Sequence, residues 1–184
     1  MYIEKDLPQR KATRLKNFDY SSTGAYFVTI CIKDRKKFLS EVIKESGSLT
    51  NQTYDSLVGE GLAPPVFSVR LKPCGEIANE QLLCLERRFP SVSIEDYVIM
   101  PDHIHIVVFL HEKSGGASPS PTLNDVICAF KSLTSRICKQ RYGIEQIFQR
   151  SYAEHIVRDR EDYETRRRYI YENPKRWYYK NLCE

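Results

Sequence analysis

An α+β fold is the class this sequence predicts, with one antiparallel sheet backed by amphipathic helices. Three observations carry it. Short runs rich in β-branched and aromatic residues recur along the chain. Two of these runs, "SIEDYVIM" and "HIHIVVFL", flank a Pro101-Asp102 turn, as the arms of a hairpin do. The stretch "TLNDVICAFKSLTSRICKQRYG" (122–143) has an apolar stripe of helical period.

The elements follow in order. Residues 1–24 are polar and basic and read as an N-terminal arm ending in loop composition. "AYFVTICIK" (25–33) reads as a strand, and basic "KDRKKF" follows it. Residues 45–65 read as a long, mobile loop. "VFSVRLKP" (66–73) is a second strand. "GEIANEQLLCLERRF" (75–89) sets Ala78, Leu82, Leu85 and Phe89 at helical spacing, and Pro90 stops the helix. The hairpin comes next, then a flexible linker at 111–121. In the helix over 122–143, Leu123, Val126, Ile127, Phe130, Leu133 and Ile137 share one face, and Gly143 stands where a helix terminates. "QRSYAEHIVR" (149–158) alternates as a strand does. "DREDYETRRRYIYENP" (159–174) reads as a short polar helix that Pro174 ends.

Composition bounds the function. The chain has 184 residues, 41% apolar, which suits a single globular domain over 1–184. Its net charge of +4 is a mild excess, weak support by itself for a nucleic-acid partner. No apolar run approaches the ~20 residues of a membrane helix, and the polar N-terminus is not a secretory signal. Six cysteines occur without a C-x-x-C pair. Reduced thiols in a cytoplasmic protein are the expectation, and a cysteine zinc site is not.

Two motifs carry chemistry. His103 and His105 are two apart on a strand, so they share a face with Val107 and Phe109. Their Cα atoms should lie roughly 6.5 to 7 Å apart, at ~3.3 Å per residue, close enough for both rings to meet one cation. The alternative is a pair of surface histidines on a half-exposed sheet. The second motif is "RRRYIYENPKRWYYK". Tyr169 and Asn173 are one helical turn apart, as are Tyr163 and Arg167. A phenol and a carboxamide then point the same way, one a nucleophile and one an oxygen ligand. The alternative is a helix whose tyrosines merely pack on the sheet. A tyrosine nucleophile needs a base, or a cation on the phosphate, because its pKa is near 10. Between 150 and 180, nine Lys+Arg stand against six Asp+Glu, with seven aromatics interleaved. Arg150, Arg158, Arg166, Arg167, Arg168, Lys175 and Arg176 are therefore candidates to grip phosphates, with aromatics to stack on bases.

From about Asp19 to Trp177 the chain resembles the HUH single-tyrosine transposases, most of all the REP-associated tyrosine transposases, relatives of the IS200-like transposases. The resemblance rests on "DYSSTGAYFVTICIKDR", "YVIMPDHIHIVV", "FKSLTSR", "RSYAEHIVRDREDY" and "YIYENPKRW", in that order. Asp102 stands where many relatives have Asn. The resemblance implies a ferredoxin-like antiparallel sheet with the histidine pair on a central strand. It implies Mg²⁺ or Mn²⁺ held by His103 and His105, with Asn173 as a further ligand. It implies that Tyr169 attacks a DNA phosphate, forming a 5′-phosphotyrosine and freeing a 3′-OH. Tyr171 is the rival nucleophile, turned about 200° away on a helix. Of Glu154 and His155, strand alternation lets one face the site. His155 is the candidate for a supporting role, and His111 reads as exposed.

The implied function is a tyrosine transposase acting as DNA nickase and strand transferase on single-stranded or hairpin DNA such as palindromic repeats, in the cytoplasm and nucleoid-associated. A domesticated hairpin-binding protein without transposition is one alternative. A zinc hydrolase is another, but it lacks a visible third strong ligand. Monomer and homodimer both remain open.

Overall fold

The computed structural model describes residues 23–45, 66–112 and 120–182. The expected arm up to residue 22, the loop over 46–65 and the linker over 113–119 lie outside the described residues.

The core of the fold is a four-stranded antiparallel sheet. Its strands are β1 (Gly24–Cys31), β4 (Val92–Ile99), β5 (His103–Leu110) and β6 (Ala153–Val157), in the order β4-β5-β1-β6. Helix α1 (Pro73–Leu83) leads into β4, and helix α3 (Leu123–Tyr142) leads from β5 to β6. That is the βαββαβ path of a ferredoxin-like fold. A second hairpin, β2 (Ser40–Glu45) with β3 (Val66–Leu71), is inserted between β1 and α1.

The two faces of the sheet are used differently. Ile104, Ile106, Val108 and Leu110 of β5 join Tyr26, Val28 and Ile30 of β1 in the main core. Ile77, Ala78 and Leu82 of α1 cover that core, with Leu123, Val126, Ile127 and Phe130 of α3. Period-2 residues on the strands meet period-3.6 stripes on the helices, which is why the apolar pattern was readable. Helix α3 begins at a capping box between Thr122 and Asp125 and ends at Gly143, whose φ of 69° suits glycine. The other face carries a smaller cluster, Phe27, Val107 and Ile170. Ile170 belongs to α4 (Arg160–Asn181), which lies across this face.

Four expectations need correction. The expected single sheet is two, because β3 pairs with β2 and not with the main sheet. Strand β2, "SEVIKE", was not foreseen, since its two buried residues, Ser40 and Val42, give too little apolar alternation. The helix over 75–89 is two helices, α1 and α2 (Leu85–Arg88), parted at Cys84. Finally, Pro174 does not end α4. It lies inside the helix, which continues to Asn181. A proline costs a helix about 3 kcal/mol locally. Here Pro174 is buried, and the next two turns pack Tyr178 against Phe67 of β3, ring centroids 5.2 Å apart. Tertiary contact outweighs the local preference.

Candidate active site

His103 and His105 stand on β5, an inner strand, and their rings lie on one face with centroids 4.6 Å apart. Their pairing partners on β1 are Cys31 and Thr29. Thr29 Oγ1 is 2.9 Å from His105 Nδ1. In the tautomer whose Nδ1–H donates to that hydroxyl, Nε2 carries the lone pair. His105 Nε2 is buried and has no hydrogen-bond partner among the described residues. A buried polar atom left alone is costly and calls for an explanation. Burial, and then the nearby His103, push the His105 imidazolium down to about 3, so the ring is neutral at physiological pH.

His103 is anchored in a parallel way. Its Nδ1–H donates to Asp102 Oδ1 at 2.5 Å. Asp102 Oδ2 in turn accepts from Arg35 at 3.4 Å. Burial alone would raise the Asp102 carboxyl, but His103 and the Arg35 guanidinium outweigh it and hold it below its ordinary value. Arg35 is delivered from a 3-10 turn, Lys33–Arg35, in which Asp34 and Arg35 take φ of 57° and 53°. Left-handed backbone at two successive non-glycine residues is strained.

Helix α4 lays Tyr169 against His105. Its ring centroid is 5.1 Å from that of His105 and 6.0 Å from that of Phe27. Phe27 is itself stacked on His105 at 5.2 Å. Tyr169 is 37% exposed, so part of its ring is open to solvent. Asn173, one turn on, is buried. The Arg176 guanidinium lies 5.6 Å from the centre of the Tyr169 ring and pairs with Glu172 at 2.7 Å. Tyr171 is 65% exposed and lies under Arg167, 5.6 Å away, which also pairs with Asp96. Among the ring contacts of the described residues, Tyr169 meets His105 and Tyr171 meets neither histidine. Tyr163 has its hydroxyl on Asp96 at 2.9 Å. Burial and that carboxylate push its phenol up to about 12, so it stays protonated.

The remaining candidates spread around this centre. His155 pairs with Phe27 across the strands, so it shares the face of the site. Its Nε2–H donates to Asp162 Oδ2 at 2.6 Å. Glu154 pairs with Val28, whose side chain belongs to the opposite face. Arg166 is held by Asp162 at 3.0 Å and lies 5.7 Å from the Phe27 ring, next to the site. Arg150, Arg158, Arg168 and Lys175 are exposed, their side chains free of any ion pair seen among the described residues. His111 is exposed and bonds Ser93 at 2.8 Å. Thr29, Phe27 and Arg35 were not foreseen. Their roles depend on register between strands far apart in sequence, which one sequence does not display.

Known proteins resemble this chain in sequence and in fold. The family described as "Transposase IS200 like" matches residues 83–173. The matched segment runs from α1 to Asn173, so it holds both histidines and Tyr169. An uncharacterized protein of Haemophilus influenzae is 27% identical over 169 residues, covering 84% of this chain and 82% of that one. A second protein of that organism, named as a REP-associated tyrosine transposase, is 27% identical over 159 residues, covering 83% and 70%. Among solved structures, a REP-associated tyrosine transposase bound to a REP hairpin superposes with a TM-score of 0.56 at 18% identity, covering 89% of this chain and 74% of that one. That likeness bears out the α+β fold, an antiparallel sheet with helices on its faces. Among the described residues no group of three or more His, Cys, Asp or Glu could hold a metal, and no helix is long and apolar enough to cross a membrane.

Proposed function

We propose that this chain is a metal-dependent, single-stranded DNA endonuclease and strand transferase, cutting at hairpin or repetitive palindromic elements through a 5′-phosphotyrosine. One observation carries the reading: the Tyr169 ring lies 5.1 Å from the ring of His105, whose buried Nε2 has no hydrogen-bond partner among the described residues.

The residues fit a divalent cation. Each histidine has its Nδ1 engaged, by Thr29 or by Asp102, which orients the ring and leaves Nε2 for ligation. His105 is neutral, the form that ligates. The Asn173 carboxamide would add an oxygen, and water the rest, as suits Mg²⁺ or Mn²⁺. Bound there, the ion would polarise the scissile phosphate and offset its developing charge.

The protein's own groups do the rest. Tyr169 Oη attacks phosphorus in line, the phenolic O–P bond forms, and the P–O3′ bond breaks. The proton the phenol gives up is matched by the one the 3′ oxygen takes. Arg176, over the Tyr169 ring, and Arg166, over the neighbouring Phe27 ring, would neutralise phosphate charge. The solved structure of a REP-associated tyrosine transposase with a REP hairpin supports the choice of substrate. The covalent link conserves the bond energy for rejoining. The test is incubation with labelled single-stranded hairpins and Mn²⁺, read on a denaturing gel. A protein–DNA band that Tyr169→Phe abolishes is expected. No band from the unaltered protein overturns the reading.

A further inference from the structure

The last two turns of α4 continue past Pro174 and carry "KRWYYK" to a place the cleavage chemistry does not need. Trp177, Tyr178 and Asn181 there face Lys37, Lys72 and Pro101 across a cleft of about 380 Å³. Pro101 is two residues from His103, so the cleft opens beside the candidate active site. Tyr169, Asn173 and Trp177 recur every fourth residue and share one face of the helix. Trp177 is thus two turns, roughly 12 Å, from the nucleophile along the helix axis. At ~3.4 Å per stacked nucleotide, that is three or four nucleotides along a strand.

The walls suit one kind of occupant. Trp177 offers an aromatic face, with the exposed Lys37 ammonium 5.2 Å from the ring centre. Lys37 also donates to Asn181 Oδ1 at 2.6 Å, and Lys72 donates to the Lys37 carbonyl at 3.1 Å. Two ammonium groups therefore stand at the mouth of an aromatic-lined cleft. Glu41, the one acidic residue among the described lining, is drawn off by Arg70 at 3.1 Å. A π-face with adjacent cations is the chemistry that holds an unpaired base and its phosphate. The cleft is also anchored. Leu39 N–H donates to the Pro101 carbonyl at 3.2 Å, and Ser40 Oγ–H to the Ile99 carbonyl at 2.7 Å. The segment carrying Lys37 is thereby tied to the strand end that precedes His103.

We infer that this cleft holds one unpaired nucleotide of the DNA strand a few positions from the scissile phosphate, its base on Trp177 and its phosphate on Lys37 and Lys72. The inference rests on the proposed single-stranded DNA substrate. The cleft would set which flank of a hairpin enters the site, and how far from the stem cleavage falls.

Trp177 is the one tryptophan in the chain, so it reports directly on its own occupancy. The test titrates the full chain with a hairpin bearing a single-stranded oligothymidylate tail, without metal. Binding is followed by anisotropy of a labelled tail and by tryptophan fluorescence together. Quenching that tracks binding is expected. A walk of abasic sites along the tail should find one position that removes the quenching and weakens binding about tenfold. Lys37→Gln and Lys72→Gln should each lower the log–log salt slope by about 0.7. Saturated anisotropy with unchanged fluorescence, or an abasic walk without a sensitive position, overturns the inference. Both readouts use the unaltered protein, so they do not depend on a variant folding. The covalent adduct with Mn²⁺ is scored separately. An adduct without quenching sinks the nucleotide cleft alone, and quenching without an adduct sinks the tyrosine chemistry alone.

Discussion

At the residue scale the site is a set of oriented rings. Tyr169→Phe removes one oxygen from a ring that is already 37% exposed and keeps its contacts with His105 and Phe27. Folding stability should change by less than ~1 kcal/mol, while covalent attachment to DNA should vanish. Tyr171→Phe should leave the adduct unchanged, because that ring faces Arg167. A denaturing gel compares the two, and an adduct lost with Tyr171 alone moves the nucleophile two positions. Thr29→Val tests the anchoring of His105. It removes the Oγ1 partner of Nδ1 at nearly constant volume. Affinity for Mn²⁺ should fall roughly 10- to 100-fold by titration calorimetry, with the fold intact by circular dichroism. His105 also predicts a pH response of the metal-free protein. The unfolded imidazole protonates near 6.5, whereas the folded one resists to about 3. The stability this neutral ring contributes is therefore complete above about 6.5 and is lost as the pH falls towards 3. Urea unfolding in a chelator should show stability falling over that window, with a gentler slope for His105→Gln. Equal slopes would mean that the folded ring takes up its proton as readily as the unfolded one.

At the scale of elements, α1 packs closely on the segment before β2, whose Lys37 lines the Trp177 cleft. An added Cβ at Gly75 would lie 1.9 Å from the Leu39 carbonyl oxygen, a backbone atom that no rotamer can move aside. The same carbonyl accepts from Lys72 N–H at 2.9 Å, so it is fixed from both sides. Gly75→Ala should destabilise the protein by about 1–3 kcal/mol, seen as a lower urea midpoint at unchanged slope. A neutral result would show that Leu39 can retreat, and with it the loop that carries Lys37. Helix α4 illustrates the opposite balance. Its interior proline is a local cost, and its packing across the sheet and onto the β2–β3 hairpin is what keeps it helical.

Across the whole molecule, the sheet separates two tasks. One face buries the main core under α1 and α3, and the other presents the histidines to α4. The net charge of +4 understates the local field, because basic residues concentrate along α4 and the Lys33–Lys37 turn. Hairpin binding should weaken steeply with salt, at a log–log slope of about −0.7 per phosphate contact on the single-stranded part. Arg176→Gln should reduce that slope by about one contact. An affinity indifferent to salt would point to a ligand other than nucleic acid.

The sequence by itself determined whatever depends on spacing along the backbone. The hairpin around Pro101, the helix over 122–143 with its Gly143 terminus, and the shared face of His103 and His105 all follow from fixed periods of 2.0 and 3.6 residues. The pairing of Tyr169 with Asn173 on one turn, and the turning away of Tyr171, follow for the same reason. Tertiary structure alone decided what joins residues distant in the chain. Thr29 reaches His105 across 76 positions. Arg35 reaches Asp102 from a strained turn. Strand β2 exists because β3 pairs with it, and α4 outruns Pro174 because β3 receives its last turns. Local preferences are worth a few kcal/mol at most, and contacts formed on folding can exceed them. Such contacts leave no periodic trace in a single sequence, so only the folded chain displays them.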